Sequence, residues 1–351
     1  MTDAVVVGSG PNGLAAALTL ADAGLRVTVL EAADRIGGGT RSGELTLPGL
    51  IHDECSAAHP LAVETDFSRR FDLRKDGLRW LWPEVQYAHP LDGGVGAAAL
   101  RSVAETAALL PGRDGKRWSS LFGWLAERFD AIAQDAFVPI LHPPRHPLMM
   151  ARFGACSAPP AALLARLWDS VETQALFAGV AAHAFRPFGS PMSSAVGVTL
   201  GAAAHRYGWP VAEGGSQAIT DAMTARLERL GGVVHTGVRV GALAELRGVG
   251  EPSVVMLDVA PRAAVEICGG RLPARVARAY HRYRHGPAAF KVEFAVEDGV
   301  PWSYEPSRRA GTVHVGGDLA EIAAAERACA RGEMPQQPFV LVCQQYLADP
   351  S

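Results

Sequence analysis

Apolar residues follow three rhythms along this chain, and each rhythm occupies a different stretch. Residues 4–7 read Ala-Val-Val-Val, an unbroken run too short for a helix and typical of a buried parallel strand. Helical spacing follows over 12–22, Ala23-Gly24 ends it, and a second short apolar run over 27–30 closes on Glu31. From Leu73 to about Arg206 the spacing is mostly helical, clearest over 118–129, 161–177 and 195–207. Pro143, Pro144, Pro147, Pro159 and Pro160 cut this region into short pieces, so it reads as a helical insertion capping a substrate pocket. Gly214-Gly215-Ser216-Gln217 then opens a helix over 218–230, with Ile219, Met223, Leu227 and Leu230 on one face. Gly231-Gly232 terminates it, and 233–240 reads as the next strand. Residues 290–296 alternate, placing Phe290, Val292, Phe294 and Val296 on one face of a strand in a second, antiparallel sheet. Gly316-Gly317-Asp318 reads as a strand-to-helix turn with Asp318 as the cap.

These elements predict an α/β protein: a Rossmann-like nucleotide-binding domain, a helical cap, and a substrate domain built on an antiparallel or mixed sheet. The expected boundaries are 1–70 and 206–262 for the two parts of the nucleotide domain, 71–205 for the cap, and 263–351 for the substrate-domain sheet and helix.

The first strand leads directly into Gly8, Gly10 and Gly13 in G-x-G-x-x-G spacing. Such glycines serve a tight turn, close approach of a pyrophosphate to the backbone, and close packing of helix on strand. The helix after them, through Pro11 and Asn12, aims its unpaired N–H groups and positive dipole end at that pyrophosphate. Glu31 arrives 18 residues after Gly13, where a carboxylate accepts hydrogen bonds from a ribose. An acid there disfavours a 2′-phosphate, and so NADP. A second glycine turn, Arg35-Ile36-Gly37-Gly38-Gly39-Thr40-Arg41-Ser42, suits the longer dinucleotide FAD better than NAD.

The stretch from Glu31, Ala32 and Ala33 through Asp34, Arg35, Ile36, Gly37 and Gly38 resembles the R-x-G-G motif of the FAD-dependent amine oxidase and phytoene desaturase superfamily. Gly39-Thr40-Arg41-Ser42 with His52-Asp53-Glu54-Cys55-Ser56 is closer to the phytoene desaturase side, including its bacterial relatives. Amine oxidases usually carry Arg where this chain has Ala33 and Gly39. The resemblance implies FAD as cofactor, Glu31 on the adenosine ribose, Gly38 to Arg41 along the diphosphate, and the Val240 backbone against the adenine. It also implies that Lys291, upstream of Trp302, stands near the flavin N5; a solvent-facing lysine on a half-exposed strand is the competing reading. The family is normally longer than this chain. The resemblance therefore implies either a fragment or a short gene product, and weak retention of FAD by residues 1–351 alone.

Composition narrows the remaining classes. A net charge of −3 with scattered basic residues gives no electrostatic reason to expect nucleic acid. Five cysteines, far apart and without C-x-x-C, fit a reducing cytoplasm and exclude a flavin disulfide reductase dithiol. Cys55 reads as a packed core thiol. His281 and His285 sit among Arg278, Arg282 and Arg284, a basic helix face rather than a metal site, and no metal is expected. No run of 18 apolar residues exists to span a membrane. The apolar 148–168 stretch reads as a buried cap, with a peripheral seat on a membrane surface as the alternative. Together these readings predict hydride transfer from an apolar small molecule to flavin, with oxygen or a quinone as electron acceptor. A flavin amine or amino-acid oxidase and a non-catalytic binding subunit remain the alternatives.

Overall fold

The computed structural model describes residues 3–138 and 142–351. Four parallel strands form its first sheet, with Ala4–Val7 flanked by Val27–Leu30 and Val254–Leu257, and Val233–His235 outside Val27–Leu30. Both faces are covered, which is why Ala4–Val7 is apolar at every position rather than alternating. Ala4 and Val6 pack with Leu14 and Leu18 of the helix Pro11–Asp22 and with Ile219, Met223 and Leu227 of the helix Gln217–Arg229. Val5, Val7 and Leu30 face Val240, Leu246 and Ile267 on the other side. Burial of Leu14 and Leu18 contributes roughly 1.5–3 kcal/mol each. Pro11 opens the first helix, where its missing N–H has no intrahelical partner to lose.

The strand expected over 233–240 is shorter, Val233–His235. Beyond it the chain folds back along the second strand's exit: Gly237 N–H donates to Ala33 O at 2.7 Å and Val238 N–H to Glu31 O at 2.8 Å. Backbone groups that a longer strand would have paired laterally are used to close the crevice rim instead.

The second sheet runs Val340–Cys343, Ala310–Val315, Val85–Pro90, Gly96–Leu100. It is mixed: Ala310–Val315 lies parallel to Val85–Pro90, while the other two pairings are antiparallel. Two of its strands come from the region read as a helical cap. Ala97, Ala98 and Ala99 favour helix in isolation, yet each is buried here: Tyr87, Ala97 and Ala99 pack into the helical core while Ala88 and Ala98 pack on the opposite side. Tertiary packing overrides propensity at such positions. The helices also break more often than expected. Ser170 caps a fresh helix, Val171–Ala181, inside the predicted 161–177 run, and a π-helical turn at Ser119–Gly123 interrupts the 118–129 run. Asp318 caps Leu319–Ala330 with a reciprocal Glu321 contact, as its sequence predicts.

Residues 290–296 form no strand. Phe290 is 94% exposed and Phe294 72%, and among the described residues no strand forms a ladder with them. An alternating segment without a laterally bonded neighbour has nothing to make it a strand. Around 148–168, helices Pro147–Ser157 and Ala161–Leu167 meet at 89°, and no single helix among the described residues is long and apolar enough to cross a membrane. Met150, Phe153 and Leu164 pack into the core, whereas Leu148 and Leu163 face outward.

Candidate dinucleotide site

Two glycine turns meet at the C-terminal ends of Ala4–Val7 and Val27–Leu30, where open parallel sheets place their ligands. A Cβ on Gly38 (φ +54°) would lie 3.0 Å from the Gly10 Cα, so the second turn rests directly on the first. Gly37 N–H donates to Ser9 O at 3.1 Å and pins the contact. Gly13 is required by the packing: a Cβ there would stand 2.3 Å from the Gly8 carbonyl oxygen. Gly8 (φ +104°) turns the chain where a Cβ would strike the Asp258 backbone.

Glu31 points back toward the first turn. Its Oε2 accepts from Ser9 N–H at 3.0 Å and from Ser9 Oγ–H at 2.6 Å, and its Oε1 accepts from Ala33 N–H at 2.8 Å. The Arg41 guanidinium lies 3.5 Å from Oε1. Burial by itself would raise this carboxyl, but the Ser9 and Ala33 hydrogen bonds and the Arg41 charge outweigh it and hold it below the usual carboxylate range. Glu31 is therefore a fixed anion at the crevice. Arg41 is oriented by the second turn itself, donating to the carbonyls of Arg35 (2.8 Å) and Ile36 (3.2 Å).

The remaining predicted residues divide. Asn12, Ala32 and Gly39 are exposed, and Pro11 is partly covered at the start of its helix. Arg35 turns away from the crevice, to Ser42 O at 3.0 Å and Glu54 at 2.5 Å. Thr40 is buried and donates inward to Gly37 O. Val240 packs behind the sheet rather than on a strand. Lys291 donates to the backbone oxygen of Asp53 and pairs with Glu293 at 2.5 Å, while Glu293 also meets His52 at 3.1 Å. The lysine thus ties the 290–296 segment to the strand Ile51–Asp53. Cys55 is exposed, contrary to the core thiol expected: it lies in the loop after that strand, outside the apolar clusters.

Three participants were not singled out from the sequence. Ser9 sits inside the motif and its hydroxyl is legible as a glutamate partner only once the turn is folded. Asp53 joins the second turn to the helix Gln217–Arg229, accepting from Ser42 Oγ–H and Ser216 N–H, both at 2.6 Å. Ser216 also bonds His59, whose imidazole burial pushes down to about 4 against the pull of Asp53. Asp258 accepts from Gly13 N–H at 2.8 Å. An acid straight after the apolar run Val254–Leu257 is the signal that marks it. A separate open cleft of about 1160 Å³, floored by Phe67, Trp80 and Met223, reaches the first turn only at Pro11 and Asn12. That cleft also carries basic side chains, among them Arg69, Arg70, Arg74, Lys75 and Arg226.

Residues 6–69 match the NAD(P)-binding Rossmann-like domain family. A 41-residue stretch is 61% identical to hydroxyneurosporene desaturase of Rhodobacter capsulatus, covering 12% of this chain and 8% of that protein. Another of 40 residues is 65% identical to putrescine oxidase of Kocuria rosea, covering 11% and 8%. The amino-terminal stretch is thus similar to a desaturase and to an oxidase alike. A stretch of 97 residues is also 35% identical to thiamine thiazole synthase of Pyrobaculum arsenaticum, covering 28% of this chain and 36% of that one. The match therefore spans well under two thirds of each curated relative. The PF1083 protein from Pyrococcus furiosus shares the fold, with 18% identity and a TM-score of 0.52 over 80% of this chain and 65% of that one.

The sequence resemblance implies FAD, and the residues at the two turns fit the adenosine diphosphate half of such a dinucleotide. Gly10 and Gly38 bring bare backbone to the turns, with the Asp258 carboxylate beside them, Glu31 is a fixed acceptor for ribose hydroxyls, and Arg41 supplies a cation beside it.

Proposed function

We propose that this chain holds FAD by its nucleotide half and serves as the hydride-accepting module of a desaturase-like oxidoreductase acting on an apolar small molecule. The observation that carries the reading is the direct stacking of Gly38 on Gly10 beside the Glu31 carboxylate. One glycine turn would suffice for NAD; FAD has the same diphosphate but is longer at its flavin end, and a second N–H-rich turn beside the diphosphate suits it. In this arrangement Gly8, Gly10, Pro11, Asn12 and Gly13 offer backbone to the diphosphate, Glu31 and Ala32 flank the ribose, and Gly39 and Arg41 lie along the second phosphate.

Bound FAD supplies the hydride acceptor, and the protein's part is to hold and orient it. Ser9 fixes Glu31 in its acceptor pose, and Asp53 fixes the second turn against the helix Gln217–Arg229. An apolar substrate is proposed on the likeness to hydroxyneurosporene desaturase, with oxygen or a quinone as acceptor. Lys291 is engaged by Asp53 and Glu293 in this structure, so a role beside flavin N5 would require it to leave both.

The test is anaerobic reduction of the FAD-loaded protein. Loss of the yellow flavin absorbance on adding apolar hydrocarbon donors, with no response to primary amines, is the expected result. Bleaching by amines with peroxide release on readmitting air would make it an amine oxidase instead. A protein that takes up no flavin would leave a binding subunit.

A further inference from the structure

The helix Pro11–Asp22 has no acidic residue in its first turn, yet its N-terminus is not free of negative charge. Asp258 arrives there from the end of the neighbouring strand Val254–Leu257. Its backbone is pinned, with Asp258 N–H donating to Val7 O at 2.8 Å, and its carboxylate Oδ2 accepts from Gly13 N–H at 2.8 Å. That N–H is one of the four that a helix start leaves without an intrahelical partner, at the positive end of the dipole. The glycine positions give the direction of approach. Gly10 lacks a side chain so that a pyrophosphate can reach the backbone, and a Cβ built there would lie 2.9 Å from Asp258 Oδ2. The carboxylate therefore stands beside the path that the pyrophosphate must take. No Lys, Arg or His side chain among the described residues forms an ion pair with it.

We infer that Asp258 is a resident competitor for the dinucleotide phosphates, holding the anion seat of the glycine turn until the cofactor displaces it. The inference rests on the dinucleotide reading above and adds a control on that same site. With the backbone fixed by Val7, displacement is a rotation of the side chain about its own χ1, away from Gly13. The carboxylate and a diphosphate repel each other at this range, so the site is competent only in the fraction of molecules whose Asp258 has swung out. Apparent affinity falls by that fraction. The seat also keeps the empty turn capped, so the ligand-free domain does not lose its helix start. Adenosine, having no phosphate, does not compete with the carboxylate.

The experiment titrates ADP, FAD and adenosine into the wild-type chain, Asp258→Asn and Asp258→Ala by calorimetry, with a thermal melt of each. Both variants are expected to bind ADP and FAD on the order of tenfold more tightly while adenosine affinity is unchanged. Asp258→Ala is also expected to melt lower without ligand and to recover when ADP is added. Asp258→Asn keeps an acceptor for Gly13 N–H, so it carries the test should the alanine variant fail to fold. Unchanged or weaker binding of ADP and FAD by Asp258→Asn overturns the inference. If wild-type binding is lost in Glu31→Gln but indifferent to Asp258, the dinucleotide reading stands and the competitor falls. If no variant binds ADP or FAD, both fall together.

Discussion

Gly13 shows how one missing methyl group holds the nucleotide end together. A Cβ there would lie 2.3 Å from the Gly8 carbonyl oxygen and 2.8 Å from Asp258 Oδ2, both inside contact distance. The backbone oxygen cannot rotate out of the way, so Gly13→Ala is expected to cost about 1–3 kcal/mol by forcing helix and strand apart. A urea melt should show the loss, with dinucleotide affinity falling alongside it; a melt equal to wild type would mean that the turn adapts. Glu31 belongs to the same scale. Its carboxylate is worth having at this point because Ser9, Ala33 and Arg41 prepare it as an anion before any ligand arrives.

Among the elements, the most legible were those whose local and tertiary demands agree. The run Ala4–Val7, the glycine turn, the helix Pro11–Asp22 and the strand Val27–Leu30 sit where the sequence pattern puts them, because buried parallel strands and a Pro-started helix need no distant information. The hidden elements were those set by neighbours. Gly96–Leu100 is a strand made chiefly of alanine, chosen by the sheet beside it and the helix Val171–Ala181 above it. Residues 290–296 have the alternation of a strand and no partner to make one. At the site, the glycines and Glu31 were readable from spacing, whereas the contacts of Asp53 and Asp258 became visible only when the fold brought residues 163 and 245 positions apart together. The helix-to-sheet contact supplies its own test. A Cβ on Gly179 would lie 2.8 Å from His314 Cβ and 2.8 Å from His89 Nδ1, so Gly179→Ala is expected to destabilise by roughly 1–3 kcal/mol. An unaltered denaturation midpoint would show that the helix slides off the sheet at no cost.

At the scale of the whole molecule, buried histidines set the response to acid. Burial pushes His59, His89, His183 and His205 down to about 4, and His314 well below its ordinary 6.5. Trp118 Nε1–H donates to His205 Nε2 at 2.9 Å, which requires that nitrogen unprotonated. Above pH 6.5 these groups are neutral in folded and unfolded chains alike and contribute no pH dependence. As pH falls from 6.5 toward about 4, the unfolded chain takes up protons that the folded one refuses. Each histidine then removes up to about 1.4 kcal/mol per pH unit. The melting temperature is expected to be level above pH 7 and to fall steeply below 6.5, with a shallower fall in His205→Gln. A level profile down to pH 5 would contradict the burial of these rings.

The central claim is that the two stacked glycine turns and Glu31 grip the nucleotide half of FAD. Titrating FAD and ADP into the wild-type chain and Glu31→Gln at one salt concentration measures it most directly. Losing hydrogen bonds to a charged acceptor costs about 1.5–3 kcal/mol, so saturable binding of both ligands should weaken roughly ten- to a hundredfold in the variant. Equal affinity in the two proteins, or no binding of either ligand to the wild type, would contradict it.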